Sequence, residues 1–550
     1  MKRFNEQLIL KKVQQMSLLL CFPLLLTSFV GCSDSDNNHD SGSGNEISVE
    51  DIRIIPLPQY TSYGRGAFEV DKNVTVSYSA GIETEANLLL EYLKEDYDMQ
   101  PVLVDEREKS TIQLIIDPAM TVEVAGGYRL EVAENKIRLA ARDALGIFYG
   151  SQSIRQLITQ KNNKFQVREV TISDYPSYSW RGVMLDEGRF FKGKKTVKTL
   201  LDEMARLKMN TFHWHLTDDQ GWRIDIHKYP KLTEIGSKRK CTGLGWSWEN
   251  DQFDNIPQEG FYTQEDIKEI VAYAKKLNIT IVPEIEILTH CTAAVASYPR
   301  LGTTGKQIEV ECRLGVFDEV FNIADEWVMQ FAYDVLDEVT ALFPGEFFHV
   351  GGDELHGNHW QTSPDIRKLK SDLGITEDFE LQIYYFNQIN KYLNSKGKKM
   401  MGWSDITGKA GVTSKMKVDM PGAISQYWAG TLNDLNHSLN LGFKVVQSHT
   451  DFAYFNAWLP DAYKTNCIPA GVDASKTKNI IGIEAACWSE FDSTIEKTFD
   501  HIFPRIAAYA ETGWSKPSSK DYKSFLDRLS PMYGRWKAKN IYVGGTEESR

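Results

Sequence analysis

Acidic, histidine and tryptophan side chains follow short apolar segments at several points after residue 180. Their repetition is informative because the carboxyl ends of successive parallel strands meet at one edge of a sheet or barrel. Carboxyl groups there could protonate a leaving oxygen and bind hydroxyl groups, and flat aromatic rings could pack against a sugar. Any single cluster could instead consist of solvated loop residues with no catalytic or binding role. The clusters are Asp186-Glu187-Gly188-Arg189, His213-Trp214-His215-Leu216-Thr217-Asp218-Asp219, Glu284-Ile285-Glu286 with His290, His349-Val350-Gly351-Gly352-Asp353-Glu354, Trp403-Ser404-Asp405, Tyr427-Trp428 and Trp488-Ser489-Glu490.

The adjacent pair Asp353 and Glu354 restricts the mechanism. Glycosidases with two carboxyl groups across the scissile bond separate them by about 5–5.5 Å for retention or about 6.5–9.5 Å for inversion. Neighbouring Cα atoms are only about 3.8 Å apart, so these two carboxyl groups approach from one segment. A substrate that carries its own nucleophile removes the difficulty. A 2-acetamido oxygen would attack C1 while Glu354 protonates the leaving oxygen and Asp353 orients the acetamide.

Eight short apolar strands alternate with amphipathic helices from about residue 176 onward, which predicts a parallel sheet. Eight such units favour a (β/α)8 TIM barrel, an α/β fold whose functional residues lie at the carboxyl ends of its strands. We predict that residues 176–550 form this domain with a C-terminal segment. The predicted strands are Arg181–Asp186, Thr211–His215, Ile279–Glu284, Phe347–Gly351, Lys399–Trp403, Ala423–Tyr427, Lys444–Gln447 and Ile480–Ala485.

Residues 49–175 are predicted to form a small α/β domain that precedes the barrel. Short alternating strands surround two helical segments, Glu83–Lys94 and Asp143–Ile158. Tyr128–Val132 and Lys136–Ala140 are separated by three residues and are typical of a hairpin.

The motif His349-Val350-Gly351-Gly352-Asp353-Glu354 is similar to the signature of the family 20 glycoside hydrolases, the β-N-acetylhexosaminidases, a family that uses substrate assistance. The likeness covers nearly the whole chain after the leader. Ile54-Ile55-Pro56-Leu57-Pro58 and Gly146-Ile147-Phe148-Tyr149-Gly150-Ser151-Gln152 resemble the family's N-terminal domain, and Trp180-Arg181-Gly182-Val183-Met184-Leu185-Asp186 resembles its first barrel strand.

The resemblance implies a role for individual residues. Glu354 would be the general acid/base and Asp353 the carboxylate that orients the acetamide. Arg189 and Glu490 would bind the 3- and 4-hydroxyls, and Asp218 and His290 would form a network that touches the acid/base. The resemblance also implies an aromatic box and an acetamide-binding tyrosine, which are Trp403, Trp428, Trp488 and Tyr454.

Two positions depart from the family pattern. Glu286-Ile287-Leu288-Thr289 stands where the family has Asp-Met-Pro-Gly, so the loop that carries His290 is expected to differ. Asn456 stands where many members have an aspartate near the sugar 6-hydroxyl. An amide can donate to a sulfate that a carboxylate would repel, so we expect Asn456 to allow a 6-sulfated N-acetylglucosamine.

The first 31 residues read as a secretory leader, with basic residues near the start and an apolar run from Leu18 to Val30. The run ends at Gly31-Cys32, which resembles a bacterial lipoprotein cleavage site with Cys32 as the lipid-bearing residue. A plain cleaved signal with an incidental cysteine is the alternative. Residues 32–48 contain a Ser-, Asp- and Gly-rich stretch that predicts a flexible tether. We therefore expect a cell-envelope lipoprotein, anchored to the membrane at the outer surface or the periplasmic face.

Charge and cysteine content exclude some partners. The formal charge is -13, and removal of residues 1–31 takes away four basic residues and Glu6, which leaves -16. Nucleic acid is therefore not an expected partner. Five cysteines follow Cys32, and because this number is odd, at least one is a free thiol; their spacing is not that of a metal site. No metal or cofactor is expected for the activity that the family resemblance implies.

The leading prediction is thus an exo-acting retaining β-N-acetylhexosaminidase acting on terminal N-acetylglucosamine or N-acetylgalactosamine of glycans. A lacto-N-biosidase-like or strictly N-acetylgalactosamine-specific member remains an alternative, since the motifs do not resolve pocket length or the contacts at C4. A surface lipoprotein that captures glycans without hydrolysis is another. The sequence does not predict the oligomeric state.

Overall fold

The computed structural model describes residues 53–544, apart from positions 123, 162–163 and 250. The predicted leader, Cys32 and the predicted tether of residues 32–48 lie outside these residues, so the predictions about them stay predictions. In the part of the chain that the structure describes, no helix is long and apolar enough to cross a membrane.

An eight-stranded mixed sheet begins the described chain. Its strands are β1 (Tyr60–Val70), β2 (Thr75–Tyr78), β3 (Val102–Leu103), β4 (Ile112–Ile116), β5 (Tyr128–Ala133), β6 (Lys136–Ala141), β7 (Thr159–Lys161) and β8 (Lys164–Asp174). Their order is β1-β8-β5-β6-β4-β2-β3, with β7 paired to β8. Helices α1 (Glu83–Tyr97) and α2 (Ala144–Leu157) pack against each other and against this sheet.

The predicted hairpin is confirmed as β5 and β6, which pair antiparallel. Glu134 and Asn135 at its turn both have positive φ, 52° and 59°, as a tight hairpin turn requires. The long antiparallel pair β1 and β8 was not predicted from the sequence. Strand β1 has two glycines and no regular alternation of buried and exposed residues, so its pattern does not indicate a strand.

The rest of the chain forms a closed barrel. The strands in this part are β9 (Trp180–Asp186), β10 (Thr211–His215), β11 (Thr217–Asp218), β12 (Gly221–Trp222), β13 (Lys238–Arg239), β14 (Gln258–Glu259), β15 (Thr280–Glu284), β16 (Phe347–His349), β17 (Lys399–Trp403), β18 (Ile424–Tyr427), β19 (Lys444–Gln447) and β20 (Ile480–Cys487). Eight of them close in the order β10-β15-β16-β17-β18-β19-β20-β9, and every neighbouring pair is parallel. The TIM barrel is therefore confirmed, together with the small α/β domain before it.

Helices cover the outside of the barrel and fill its loops. They are α3 (Lys194–Arg206), α4 (Lys231–Glu234), α5 (Gln264–Lys276), α6 (Thr292–Ser297), α7 (Glu326–Leu342), α8 (Asn358–Thr362), α9 (Pro364–Leu373), α10 (Asp378–Ser395), α11 (Leu432–Asn440), α12 (Leu459–Lys464), α13 (Ile495–Ile502), α14 (Arg505–Trp514) and α15 (Tyr522–Ala538).

The barrel interior is layered. An apolar cluster of Trp180, Val282, Met401, Ile424 and Val446 fills its lower part. Two residues further along the strands, the interior becomes polar, and the catalytic candidates follow at the carboxyl ends. The apolar layer closes the barrel from below, so the mouth is where a ligand can enter.

Buried ion pairs join the sheet domain to the barrel. The Asp96 carboxylate on α1 contacts Arg206 of α3 at 2.7 Å, Arg155 of α2 at 2.8 Å and Arg535 of α15 at 3.5 Å. Because all four side chains are largely buried, this contact positions α1 firmly against the barrel helices.

Candidate active site

Asp353 and Glu354 lie four and five residues after His349, the end of β16, on a tightly turned backbone. Gly351 and Gly352 have φ of 65° and 99°, and Glu354 itself has φ of 52°, which is rare for a residue with a side chain. A Cβ at Gly351 would collide with the Glu286 carboxyl group, and one at Gly352 would lie 2.8 Å from Phe386. The two glycines therefore allow the conformation that brings both carboxyl groups to the mouth.

His290 contacts both members of the pair. Its Nε2 lies 3.6 Å from Asp353 Oδ2 and 3.5 Å from Glu354 Oε2, and its Nδ1 donates to Asp219 Oδ2 at 3.0 Å. Burial alone would lower the pKa of His290, but the carboxylates of Asp218 and Asp353 raise it well above its usual value. The imidazole is therefore a cation next to the carboxyl pair. His290 has φ of 45°, so the loop before it holds an unusual conformation.

Asp218 and His290 lie in one network beside the acid/base, as predicted. Asp218 Oδ1 is 3.7 Å from His290 Nδ1, so the two side chains form an ion pair without a hydrogen bond. Asp218 Oδ2 instead accepts from Arg189 Nη2 and from His215 Nε2, both at 2.9 Å. The hydrogen-bond partner of His290 Nδ1 is Asp219, which was not among the predicted site residues.

Arg189 is held in a fixed position by acids and an aromatic ring. Besides Asp218, it contacts Asp186 Oδ2 at 3.3 Å, and its guanidinium lies 4.9 Å from the ring centre of Trp488. Against the effect of burial, Asp218 and Asp186 raise the pKa of Arg189 well above its usual value. Burial raises the pKa of Glu490 to about 7, although the nearby Arg189 opposes this shift. The two residues predicted to bind hydroxyl groups therefore lie together.

The carboxyl groups around Asp353 crowd one another. Burial raises the pKa of Asp353 to about 7, the His290 cation opposes the rise, and the carboxylates of Glu354 and Asp405 add to it. Glu286 is 1% exposed and neither of its carboxyl oxygens has a hydrogen-bond partner. Burial, followed by the charges of Asp353 and Glu284, raises the pKa of Glu286 well above its usual value, so it is a neutral acid.

The four predicted aromatic residues line one wall of the mouth. Ring centres lie 5.6 Å apart for Trp403 and Trp488, 6.4 Å for Trp403 and Trp428, and 6.2 Å for Tyr454 and Trp488. Trp403 is fully buried, whereas Trp428 donates through Nε1 to Asp405 Oδ2 at 2.8 Å. The rings meet at an angle, so they form a concave wall.

Asn456 is exposed on the loop that also carries Tyr454. Its side chain is thus open to solvent, in contrast to the buried residues around Asp353.

A buried charged network lies beneath the site and was not predicted. Glu284 Oε2 accepts from His215 Nδ1, and His213 Nε2 and His349 Nδ1 lie 3.0 Å and 2.8 Å from its carboxyl oxygens. His213, Glu284 and His349 place possible ligand atoms within 4.8 Å of one another, which is a geometry that could hold a metal ion. The Glu284 carboxylate contacts all three histidines, so charge pairing accounts for the cluster. The two-residue spacing of His213 and His215 could have indicated this network, because residues two apart on a strand point to the same side, here the inside of the barrel.

All five cysteines of the described chain are buried, and none of these five forms a disulfide. The prediction of at least one free thiol is therefore confirmed.

Comparisons with known proteins agree with this geometry. Residues 178–517 match the model of the glycosyl hydrolase family 20 catalytic domain, and residues 51–175 match that of the family's domain 2. The chain is 33% identical over 506 residues to a beta-hexosaminidase of Porphyromonas gingivalis, covering 87% of this chain and 62% of that protein.

Solved structures of similar enzymes also match the fold of this chain. Flavobacterium johnsoniae chitobiase matches with a TM-score of 0.78 and 30% identity, covering 90% of this chain and 74% of that one. An exo beta-N-acetylglucosaminidase from Vibrio harveyi, solved with N-acetylglucosamine, matches with a TM-score of 0.79 and 28% identity, covering 92% and 80%.

A TIM barrel whose mouth holds paired carboxyl groups, an acid-bound arginine and a tryptophan wall defines a glycoside hydrolase. With both family models matched over most of its length, the chain belongs to glycosyl hydrolase family 20.

Proposed function

We propose that the protein is an exo-acting, retaining β-N-acetylhexosaminidase that removes terminal N-acetylglucosamine or N-acetylgalactosamine from glycans. The names of its relatives, beta-hexosaminidase and chitobiase, support this activity. The observation that carries the mechanism is the convergence of Asp353 and Glu354 on one imidazole, within 3.6 Å and 3.5 Å of the same nitrogen.

Two carboxyl groups so close together act from one side of the scissile bond, so the attacking atom comes from the substrate. In this mechanism Glu354 protonates the leaving oxygen while the acetamide oxygen of the sugar attacks C1. The Asp353 carboxylate accepts from the acetamide N–H and stabilises the positive charge that forms on the ring. Tyr454 donates to the acetamide oxygen, and Trp403, Trp428 and Trp488 enclose the sugar. Glu354 then activates the water that opens the cyclic intermediate.

Hydrolysis of an aryl N-acetyl-β-glucosaminide is the direct test. We expect release of nitrophenol by the wild type and its loss in Glu354→Gln, with the far-UV circular dichroism unchanged. Asp353→Asn should lower turnover, and a thiazoline that mimics the cyclised acetamide should inhibit strongly. Rapid hydrolysis of the 2-hydroxy analogue, or a wild type that binds the sugar without cleaving it, would refute the mechanism.

We further propose that the pocket accepts 6-sulfated N-acetylglucosamine next to Asn456. The exposure of this residue and its neutral amide support the proposal, because a sulfate can stay partly hydrated there while the amide donates to it. Turnover of 6-sulfated and unsulfated aryl glycosides by the wild type and Asn456→Asp tests it. A sulfated rate that Asn456→Asp leaves unchanged would contradict it.

We also propose that the protein is a bacterial cell-envelope lipoprotein anchored through Cys32. The apolar run before Gly31-Cys32 and the polar stretch after it support this localisation. Fractionation of cells that express the wild type or Cys32→Ala tests it, and equal membrane content of both proteins would refute it.

A further inference from the structure

Three aromatic side chains form an exposed cluster beside the candidate active site. Trp246 and Trp248 stack with their ring planes 5° apart and their centres separated by 5.0 Å, and the Phe491 ring packs edge-on against Trp246 at 5.4 Å. Trp248 is 58% exposed and Phe491 is 44% exposed. We refer to Trp246, Trp248 and Phe491 as the aromatic platform.

The backbone holds the platform in place. Ser247 N donates to the Leu314 carbonyl at 2.7 Å, and Trp246 forms a bridge with Leu314. Gly315 has φ of 147°, and a Cβ there would lie 2.6 Å from Ser247 Oγ and 3.1 Å from the Trp248 ring. The exposed rings are therefore fixed before any ligand arrives, which reduces the entropy cost of binding.

The platform is continuous with the residues of the pocket. Phe491 directly follows Glu490 in the chain. Arg239, at the start of the segment that carries both tryptophans, donates to the backbone carbonyl of Arg189. Glu311 N, on the segment that supports the platform, donates to the Asp219 carbonyl at 3.2 Å. The same segments thus build the pocket wall and the platform.

We propose that the aromatic platform is a second sugar-binding site, which holds a neutral ring of the glycan next to the hexosamine in the pocket. This rests on the proposed function, because it takes the pocket to hold a hexosamine. Flat exposed rings suit the C–H faces of a sugar. Glu249 and Asp251 beside them are exposed and can accept from hydroxyl groups. A second copy of the chain would bring these acids against each other, which disfavours a dimer contact.

The β-1,4-linked tetramer of N-acetylglucosamine tests the proposal, because it places a further sugar ring next to the terminal hexosamine in the pocket. We expect Trp248→Ala to lower kcat/KM for the tetramer by about tenfold relative to the simple aryl N-acetyl-β-glucosaminide. Tyr60→Ala is the matched control, since Tyr60 is 56% exposed and lies on β1 of the sheet domain.

Binding is also measured without turnover, by titrating the tetramer into Glu354→Gln and into Glu354→Gln combined with Trp248→Ala. A weaker affinity of the double variant supports the platform even if the wild type hydrolyses nothing, in which case only the proposed activity fails. Equal affinities of the two variants and an unchanged relative rate for the tetramer overturn the proposal. A change of oligomeric state in Trp248→Ala, measured by light scattering, overturns it in favour of a dimer contact.

Discussion

Replacing Asp219 with asparagine tests whether His290 acts as a cation beside Asp353. Asp219 Oδ2 accepts from His290 Nδ1 at 3.0 Å, and its Oδ1 accepts from Thr292 N at 3.0 Å and from Thr292 Oγ1 at 2.6 Å. In Asp219→Asn the amide oxygen can keep both Thr292 donors, so the amide N–H faces His290 Nδ1. That nitrogen then becomes an acceptor and the imidazole is neutral.

The size of the effect follows from the distance between the two groups. At the 3.6 Å that separates His290 Nε2 from Asp353 Oδ2, unit charges attract by about 4.6 kcal/mol for an effective dielectric constant of about 20 and by about 1.2 kcal/mol for about 80. Loss of the cation therefore raises the pKa of Asp353 by about one unit or more above its value of about 7.

The mechanism needs Asp353 ionised, so the rate falls as the pH drops through its pKa. We expect the acid limb of kcat/KM for an aryl N-acetyl-β-glucosaminide to lie near pH 7 in the wild type and about one unit higher in Asp219→Asn. The plateau should also fall by about 10- to 100-fold, because a charge-assisted hydrogen bond that positions His290 is lost.

Thr292→Val is the matched control, because it removes one hydrogen bond to Asp219 and keeps the charge. Its acid limb should coincide with that of the wild type. An acid limb that does not move in Asp219→Asn, or that moves equally in Thr292→Val, would refute the reasoning.

Three further changes probe other parts of the molecule. Glu286→Gln should keep kcat/KM within about threefold of the wild type, because the buried acid is already neutral and the amide has the same shape. A loss of 30-fold or more would show that an anion is needed at this position. Arg189→Lys should raise KM for the aryl glycoside by about tenfold or more, since an ammonium cannot bridge Asp186 and Asp218 as a guanidinium does, and an unchanged KM would contradict this. Asp96→Ala should destabilise the protein by about 3–5 kcal/mol in urea unfolding, because it leaves buried arginines without their acid. Despite burial, the arginines hold the pKa of Asp96 far below its usual value. The stabilisation from its carboxylate is therefore present at neutral pH and is lost as the pH falls below about 3.9. A difference in the free energy of unfolding between Asp96→Ala and the wild type that does not change with pH would contradict this.

The barrel could be predicted because its signal is strong at the level of the sequence. Each of its eight strands is a short, buried apolar segment followed by polar residues, and a parallel sheet covered by helices leaves that pattern in the chain. Strand β1 lies at the edge of the sheet and has mixed exposure. Its partner β8 lies 95 to 113 residues further along the chain, so the sequence carries no comparable signal for this pairing.

The residues of the site could be predicted from the sequence, but the contacts between their side chains could not. Asp218 and Asp219 are identical neighbours, and only the conformation after β10 decides that one faces Arg189 and the other faces His290. The protonation of Glu286 likewise could not be predicted, because it depends on the carboxylates that the fold brings around it. Spacing identifies the groups, whereas tertiary contacts determine the charge that each one carries.

The charge of the pocket fits a cationic transition state. Arg189 and His290 are its cations, and both are already paired with acids, so the carboxyl groups of Asp353, Glu354 and Glu490 leave the space around the sugar negative or neutral. In the proposed mechanism, such a field would stabilise the positive charge that develops at C1 and on the cyclised acetamide. The same field would repel a sulfate placed near Asp353. The proposed acceptance of a 6-sulfated sugar therefore requires its sulfate to lie at the exposed, uncharged Asn456, away from these carboxyl groups.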